Sequence, residues 1–77
     1  MPALFGRFVR VRVRFRPRRQ EDREVELNEG ASAGDLVDAV GEHRDIMVVV
    51  RGGVPIPEDE RLVDGEEILL LSAASGG

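Results

Sequence analysis

The residues best suited to chemistry are the two glycines that end the sequence, Gly76 and Gly77, which follow Ser75. A tail ending in a glycine pair can pass through a narrow channel and leaves its last carbonyl carbon unshielded, because glycine has no side chain. A terminal carboxylate has a pKa of roughly 3.3 to 3.7, so the Gly77 carboxylate is an anion and a poor electrophile at neutral pH. Adenylation by ATP would convert it to a mixed anhydride, from which a sulfur or amine nucleophile displaces AMP.

No other set of residues in the sequence predicts catalysis or metal binding. The sequence has no cysteine and one histidine, His43, which we expect to be solvated after a predicted helix. Neither Ser32 nor Ser72 has a base nearby in the sequence, and no phosphate-binding loop with its lysine is present. We therefore expect no enzymatic activity, no metal and no bound cofactor, with ATP held by a partner enzyme.

The composition predicts one small domain with a restricted set of partners. A chain of 77 residues buries only about 60% of its unfolded surface, and the net charge here is −4. No apolar run approaches the roughly 20 residues of a membrane span, and the N-terminus does not read as a secretory signal, so we expect a cytoplasmic protein without a membrane partner.

All 11 basic residues are arginines. If the protein acts as a modifier, a second copy could be attached to it only through the Met1 amine, because the sequence has no lysine.

Two strands are predicted from strict alternation of residue types. Valine and phenylalanine alternate with arginine up to Pro17, and Val25 and Leu27 alternate with two glutamates. Opposite charges on neighbouring strands stabilise such a pair by roughly 0.2 to 1 kcal/mol each. The arginine row therefore has a structural explanation. We favour it over nucleic-acid binding, because the row has no interleaved outward aromatic residues and the protein is acidic. The arginines of the row are Arg10, Arg12, Arg14 and Arg16, and the glutamates are Glu24 and Glu26.

A single helix is predicted from Ser32, whose hydroxyl can cap the first turn, to the neighbourhood of Gly41. Its apolar positions Leu36, Val37 and Val40 share one face at helical spacing and are expected in the core. The remaining chain predicts a β-branched strand over 46–51, a turn at Gly52–Gly53, a proline-broken edge strand over 54–57, an acidic connection over 58–63 that could contain one helical turn, and a turn at Asp64–Gly65.

The most specific pattern is the block formed by the Asp64–Gly65 turn, Glu66, the strand Ile68–Leu71 and the run to Gly77. This block resembles the C-terminal signature of the ubiquitin-like sulfur carriers, namely the small subunit of molybdopterin synthase and the thiamin-biosynthesis sulfur carrier, and of the archaeal ubiquitin-like small modifiers. The resemblance covers residues 8–77. It implies an α+β, ubiquitin-like β-grasp fold in which one helix packs on a mixed four- to five-stranded sheet, with the first and last strands adjacent and parallel.

The resemblance also implies a domain organisation and a function. Residues 1–7 are a lead-in, residues 8–72 the β-grasp domain, and residues 73–77 a flexible tail. The first hypothesis is a sulfur carrier: a ubiquitin-activating-type enzyme adenylates Gly77, and the resulting thiocarboxylate serves a sulfur-accepting synthase or thiolase for molybdopterin, thiamin or tRNA thiolation. The second is a modifier conjugated through Gly77 to target-protein lysines, and both roles can combine. The third is an inert interaction domain.

A docking site for the activating enzyme is predicted beside the tail. Successive strand residues point to opposite faces, and the resemblance implies that Ile68 and Leu70 face the core. The leucines between and after them then face outwards, where exposed apolar residues beside a reactive tail favour partner binding and arginines add selectivity for an acidic partner. The alternative is that the lead-in covers these leucines. We expect a monomer when the protein is free. The predicted docking residues are Leu69, Leu71, Arg12 and Arg14.

Overall fold

The structure of the protein is a computed structural model that describes residues 7–73. One helix, α1 (Ala33–Ala39), packs on a sheet of five strands, and a short 3-10 turn spans Arg44–Ile46. This architecture confirms the predicted α+β fold. The strands are β1 (Phe8–Arg16), β2 (Arg23–Asn28), β3 (Met47–Arg51), β4 (Val54–Ile56) and β5 (Glu67–Ser72).

The sheet has the order β2-β1-β5-β3-β4, so the last strand of the chain lies at its centre. β5 pairs in parallel with β1, with Val13 opposite Ile68 and Phe15 opposite Leu70. All other neighbouring strands are antiparallel. The adjacent, parallel first and last strands implied by the resemblance are therefore confirmed, and β5 is fixed along both of its edges.

The core lies between α1 and one face of the sheet, which we call the inner face. Alternation along β1 directs every second side chain into this core, as the sequence predicts, and Val25 and Leu27 of β2 pack half-buried at its margin. Burial of a large apolar side chain stabilises the fold by about 1.5 to 3 kcal/mol. The largest fully buried side chains are Leu36, Ile68, Leu70, Val11, Val13 and Val37.

The start of α1 is set by Ser32, as the sequence predicts. The Ser32 hydroxyl accepts a hydrogen bond from the Asp35 backbone N–H at 3.1 Å, and the Asp35 carboxylate accepts one from the Ser32 N–H at 2.9 Å. This reciprocal pair satisfies two of the N–H groups left free at a helix start. The helix ends two residues before Gly41, which adopts a φ of 81° and donates its N–H to the Asp38 carbonyl.

The acidic connection over residues 58–63, for which the sequence left one helical turn open, contains no helical turn. Its backbone instead runs past the start of α1. Ala33 and Gly34 donate their N–H groups to the carbonyls of Glu60 and Glu58, both at 2.8 Å, and Arg61 forms an isolated bridge with Ser32. These bonds satisfy helix N–H groups that have no partner within the helix. A helical turn in the connection would remove the extended backbone that makes them.

The hairpin of β3 and β4 follows the prediction with one shift at its start. Ile46 belongs to the 3-10 turn, and the strand begins one residue later. Gly52 and Gly53 have φ values of 57° and 82°, and positive values at both central positions are what a two-residue hairpin turn of type I′ requires. β4 pairs only with β3 and is an edge strand, which explains why Pro55 is tolerated there.

Candidate functional site

The predicted reactive tail begins at the end of β5. Ser72 is the last residue of the strand, opposite Met47, and the N–H of Ala73 donates to the Ile46 carbonyl at 2.7 Å. The sheet therefore holds the chain up to Ala73, at the end where both β1 and β5 finish. Ser75, Gly76 and Gly77 lie outside the described residues, so the chemistry assigned to Gly77 stays a prediction.

The face of the sheet opposite α1, which we call the outer face, carries the leucines that alternate with the core residues of β5. Leu69 and Leu71 are half-buried there, whereas Ile68 and Leu70 are fully buried on the inner face. The inward placement implied by the resemblance is thus confirmed. In the register, Leu69 lies beside Val50 and Leu71 beside Val48. Four apolar side chains from two adjacent strands therefore form one patch, the outer patch.

The arginine row of β1 runs along one side of the outer patch. Arg14 lies opposite Leu69, and Arg16 lies opposite Leu71. The structure thus brings together the four predicted docking residues on one face, with Arg12 one step further along β1. Their role in docking stays a prediction.

The glutamates of β2 neutralise only part of this row. Arg10 forms an ion pair with Glu26 at 3.5 Å, as the alternation predicts. Arg12 lies opposite Glu24 in the register, but within residues 7–73 it forms no ion pair. Arg14 pairs instead with Glu67 of β5 at 3.2 Å and with Asp22 at 3.7 Å. The row is therefore a mixture of paired and unpaired charges.

The docking residues predicted from the sequence omitted three residues that line this part of the outer face: Val48, Val50 and Arg16. The valines come from a continuous β-branched run, in which every residue type suits either face, so the sequence alone does not show which valines point outwards. Arg16 lies on the same face of β1 as Arg12 and Arg14. The alternation in the sequence was therefore sufficient to predict it as a docking residue as well.

The remaining candidate side chains have structural surroundings. The Ser32 hydroxyl caps α1, and His43 is exposed just before the 3-10 turn. Within residues 7–73, no group of three or more histidine, aspartate or glutamate side chains is placed to hold a metal ion. None of the helices in this part of the chain is long and apolar enough to cross a membrane.

An ionic cluster on Arg44, which the sequence analysis did not predict, joins α1 to the connection before β5. The Arg44 guanidinium donates to the carboxylates of Asp38 and Glu58 at 2.8 and 2.9 Å, and Asp35 lies 3.3 Å away. The hydrogen bond from Arg44 lowers the pKa of Asp38 below its ordinary value. The reciprocal bonds, from Asp38 first and Glu58 second, raise the pKa of Arg44.

A second cluster holds the connection against the β3–β4 hairpin. Arg51 donates to Glu66 at 2.8 Å, to Glu60 at 3.0 Å and to the Arg61 carbonyl at 2.8 Å. The bond to Glu66 is the main cause of a raised pKa at Arg51. Both clusters lie away from the outer patch and position the segment that leads into β5.

Comparison with solved structures identifies the fold as ubiquitin-like. The Caldiarchaeum subterraneum ubiquitin superimposes with a TM-score of 0.69 at 15% identity, covering 92% of this chain and all of that one. A ubiquitin-like domain from an Arabidopsis thaliana protein gives a TM-score of 0.71 at 17% identity, covering 92% of this chain and 83% of that one. Identities this low show the shared fold alone.

The sequence defines the family more narrowly. Residues 9–72 match the family described as Small archaeal modifier protein 2, and the chain belongs to that family. It is thus a ubiquitin-like protein of the modifier and sulfur-carrier type, whose members are generally non-enzymatic carriers. An uncharacterised protein of Archaeoglobus fulgidus is 28% identical over 69 residues, which cover 90% of this chain and 100% of that relative.

Proposed function

We propose that this chain is a protein modifier whose Gly77 carboxylate is adenylated by a partner enzyme and then joined to lysines of target proteins. In the first step, a carboxylate oxygen attacks the α-phosphorus of ATP and pyrophosphate leaves. In the second step, a nucleophile attacks the acyl carbon and AMP leaves. A lysine amine in this step forms an isopeptide bond. ATP binds the partner enzyme, since this chain has no phosphate-binding loop.

The second candidate is sulfur transport from the same activated terminus. A hydrosulfide equivalent that displaces AMP leaves a C-terminal thiocarboxylate, whose sulfur is nucleophilic near neutral pH. The family description favours the modifier, which the sequence alone ranked second, whereas the block from Asp64 to Gly77 resembles the sulfur carriers. Molybdopterin, thiamin and tRNA thiolation are the open choices of acceptor for the carrier role.

The observation that carries the proposal is the change of residue type at the end of β5. The strand is apolar from Ile68 to Leu71, whereas every residue from Ser72 to Gly77 is serine, alanine or glycine. Small side chains permit an extended segment to enter a narrow active site, and the two glycines permit the closest approach to the acyl carbon. The central position of β5 supports this role, because its two neighbours anchor the base of the tail.

The outer patch is the proposed docking surface for the activating enzyme. Its half-buried leucines, Leu69 and Leu71, lie on the strand that leads directly into the tail. Leu71 precedes Gly77 by a few residues in the sequence, so an enzyme bound at the outer patch contacts the chain close to the residue that it activates. Arg12 and Arg14 flank the leucines and favour an acidic partner surface, which increases the association rate more than the final affinity.

The test is the intact mass of an N-terminally tagged copy isolated from its native host, together with a search for larger covalent conjugates. Conjugates with Gly77 in an isopeptide bond establish the modifier. A mass increase equal to the exchange of one oxygen for sulfur establishes the carrier. An unaltered Gly77 terminus together with the absence of conjugates under several growth conditions contradicts both roles and supports an inert interaction domain.

Deletion of Gly77 gives a sharp control for this experiment. The deletion is expected to abolish conjugates and thiocarboxylate, because it shortens the tail by one residue and moves its carboxylate away from the enzyme's nucleotide. Ser75→Ala, which keeps the length and both glycines, is expected to retain them. Both variants should unfold at the same urea concentration as the natural sequence, since the tail follows the last strand residue, Ser72.

A further inference from the structure

The outer face contains an open cavity of about 300 Å³ where β1, β5 and the β3–β4 turn meet. Its apolar part consists of Leu69, which is half-buried, and Val50, which is 9% exposed. Its volume is at the lower end of the range of roughly 300 to 1,000 Å³ that small-molecule binding sites have, and the cavity is open to solvent on the outer face. A single side chain of a partner protein suits it better than a cofactor. The polar and backbone part is formed by Arg14, Arg16, Glu67, Gly52 and Gly53.

The two arginines of the cavity differ in their charge environment. Arg14 is neutralised by Glu67 at 3.2 Å and by Asp22 at 3.7 Å. Arg16 is exposed, and among residues 7–73 it forms no ion pair with a carboxylate. The cavity therefore joins two apolar side chains to one positive charge that has no carboxylate partner within residues 7–73.

The turn at Gly52 and Gly53 leaves one side of the cavity as bare backbone. Both glycines have positive φ, which other residues adopt only with strain, and a Cβ atom built at either position meets no atom within 4 Å. These positions face open space. The hairpin thus keeps the cavity accessible to an extended chain that lies across the strands.

We infer that this cavity binds an acidic segment of a partner protein, with one apolar side chain against Leu69 and Val50 and a neighbouring carboxylate on Arg16. The charge favours an acidic occupant: a basic segment would meet Arg14, Arg16 and the rest of the arginine row, whereas an acidic one meets Arg16, which pairs with no carboxylate within residues 7–73. The inference deepens the proposed function, since it rests on the outer patch as a docking surface and states the chemistry of the segment that docks.

The test is an NMR titration of the ¹⁵N-labelled full chain with two synthetic peptides of equal length. One peptide has a central leucine flanked by glutamates, and the other has lysines in place of the glutamates. The acidic peptide is expected to shift the amide signals of Leu69, Val50, Gly52 and Gly53, and the basic peptide is expected to leave them in place. Arg16→Glu should weaken acidic-peptide binding about fivefold or more, because reversal turns one attraction into a repulsion.

Arg61→Glu is the matched control, with the same change of net charge on the connection beside Ser32, away from the outer face. It should leave the affinity within about twofold, the remaining effect being long-range and screened by salt. Equal binding by the Arg16→Glu variant, equal binding of the basic peptide, or shifts confined to other regions would each overturn the inference. Binding of the peptide requires neither ATP nor an activating enzyme. A chain that forms conjugates but binds no acidic peptide therefore refutes this inference and leaves the proposed function intact.

Discussion

β5 presents nearly identical side chains to two different environments. Ile68 and Leu70 are 0% exposed beneath α1, whereas Leu69 and Leu71, which alternate with them, are only half-buried on the outer face. Side-chain chemistry does not cause this difference. The cause is the element above each face: the helix covers one, and arginine side chains flank the other. A single strand thus stabilises the fold with one set of residues and offers a binding surface with the other.

The largest expected effect tests the inner half of this comparison. Leu70→Ala should lower the free energy of unfolding by about 2 to 5 kcal/mol, because the fully buried side chain leaves a cavity. Small domains have only about 5 to 15 kcal/mol in total, so the variant should be close to unfolding. Urea denaturation followed by circular dichroism measures this change.

Leu69→Ala is the matched control, the same substitution one residue away on the other face. It should cost less than about 1.5 kcal/mol, since the half-buried side chain loses fewer contacts and leaves no closed cavity. Equal losses from the two variants would show that the two faces do not differ in the way their exposure indicates.

The next effect tests the outer face as a docking surface. The double variant Leu69→Ala, Leu71→Ala should raise the KM of the activating enzyme for this chain about tenfold or more, because a few well-packed side chains near the centre of an interface carry most of its binding energy. ATP–pyrophosphate exchange with the purified enzyme measures this KM.

Val54→Ala provides the comparison for that experiment. Val54 is 60% exposed and lies opposite Arg51, whose neighbour on β5 is the inward-facing Ile68, so it belongs to the other side of the sheet. It should leave the KM unchanged. An unchanged KM for the double leucine variant would remove the outer patch from the docking surface.

A smaller effect is expected at the cap of the helix that covers the inner face. Ser32→Ala should cost about 1 kcal/mol of stability, because the Asp35 N–H loses its hydrogen bond to the hydroxyl. Ser72→Ala serves as control, since within residues 7–73 the only hydrogen bond of its hydroxyl is a long one, 3.5 Å, from Arg19. It should change the urea midpoint little. Equal stability of the two variants would mean that the capping box does not determine the start of α1.

The sequence predicted those parts of the fold that repeat locally. The alternation in β1 identified its buried side chains, and the Ser32–Asp35 pattern identified the start of the helix. Local patterns did not predict the neighbours of β5, because strand order depends on contacts between distant segments. The resemblance carried by residues 64–77 supplied the parallel pairing of β1 and β5, which periodicity alone does not specify.

The contacts that the sequence did not predict join side chains far apart in the chain. Arg44 binds Glu58, 14 residues away, and Gln20 of the β1–β2 connection donates to the carbonyl of Val40, 20 residues away. No period or motif marks such pairs. The same reason explains why the sequence left a helical turn at 58–63 open: the backbone bonds from Ala33 and Gly34 that hold this segment extended come from a distant part of the chain. On the outer face, Arg12 and Arg14 were predicted from parity, whereas Val50 required the register.

The smallest expected effect concerns the ionic cluster beside the helix. The hydrogen bond from Arg44 lowers the pKa of Asp38 below its ordinary value in the folded chain, so the unfolded chain takes up the proton at a higher pH than the folded one. This contribution to stability is present above the unfolded pKa and is lost as the pH falls through the folded pKa. The free energy of unfolding should therefore decrease slightly more steeply below about pH 4 than without this pair.

Asp38→Asn should remove this additional pH dependence of the free energy of unfolding. The difference between the urea midpoints at about pH 5 and about pH 3 measures it. The variant should be slightly less stable than the natural sequence at the higher pH and lose less on acidification. Asp45→Asn changes an exposed carboxylate that forms no ion pair among residues 7–73, and it should leave the slope in place. Because the Asp38 and Arg44 side chains are 58% and 39% exposed, solvent screens their attraction, and the effect should stay below that of the cap. A larger effect would mean that the ionic cluster, rather than the covered inner face alone, holds the helix on the sheet.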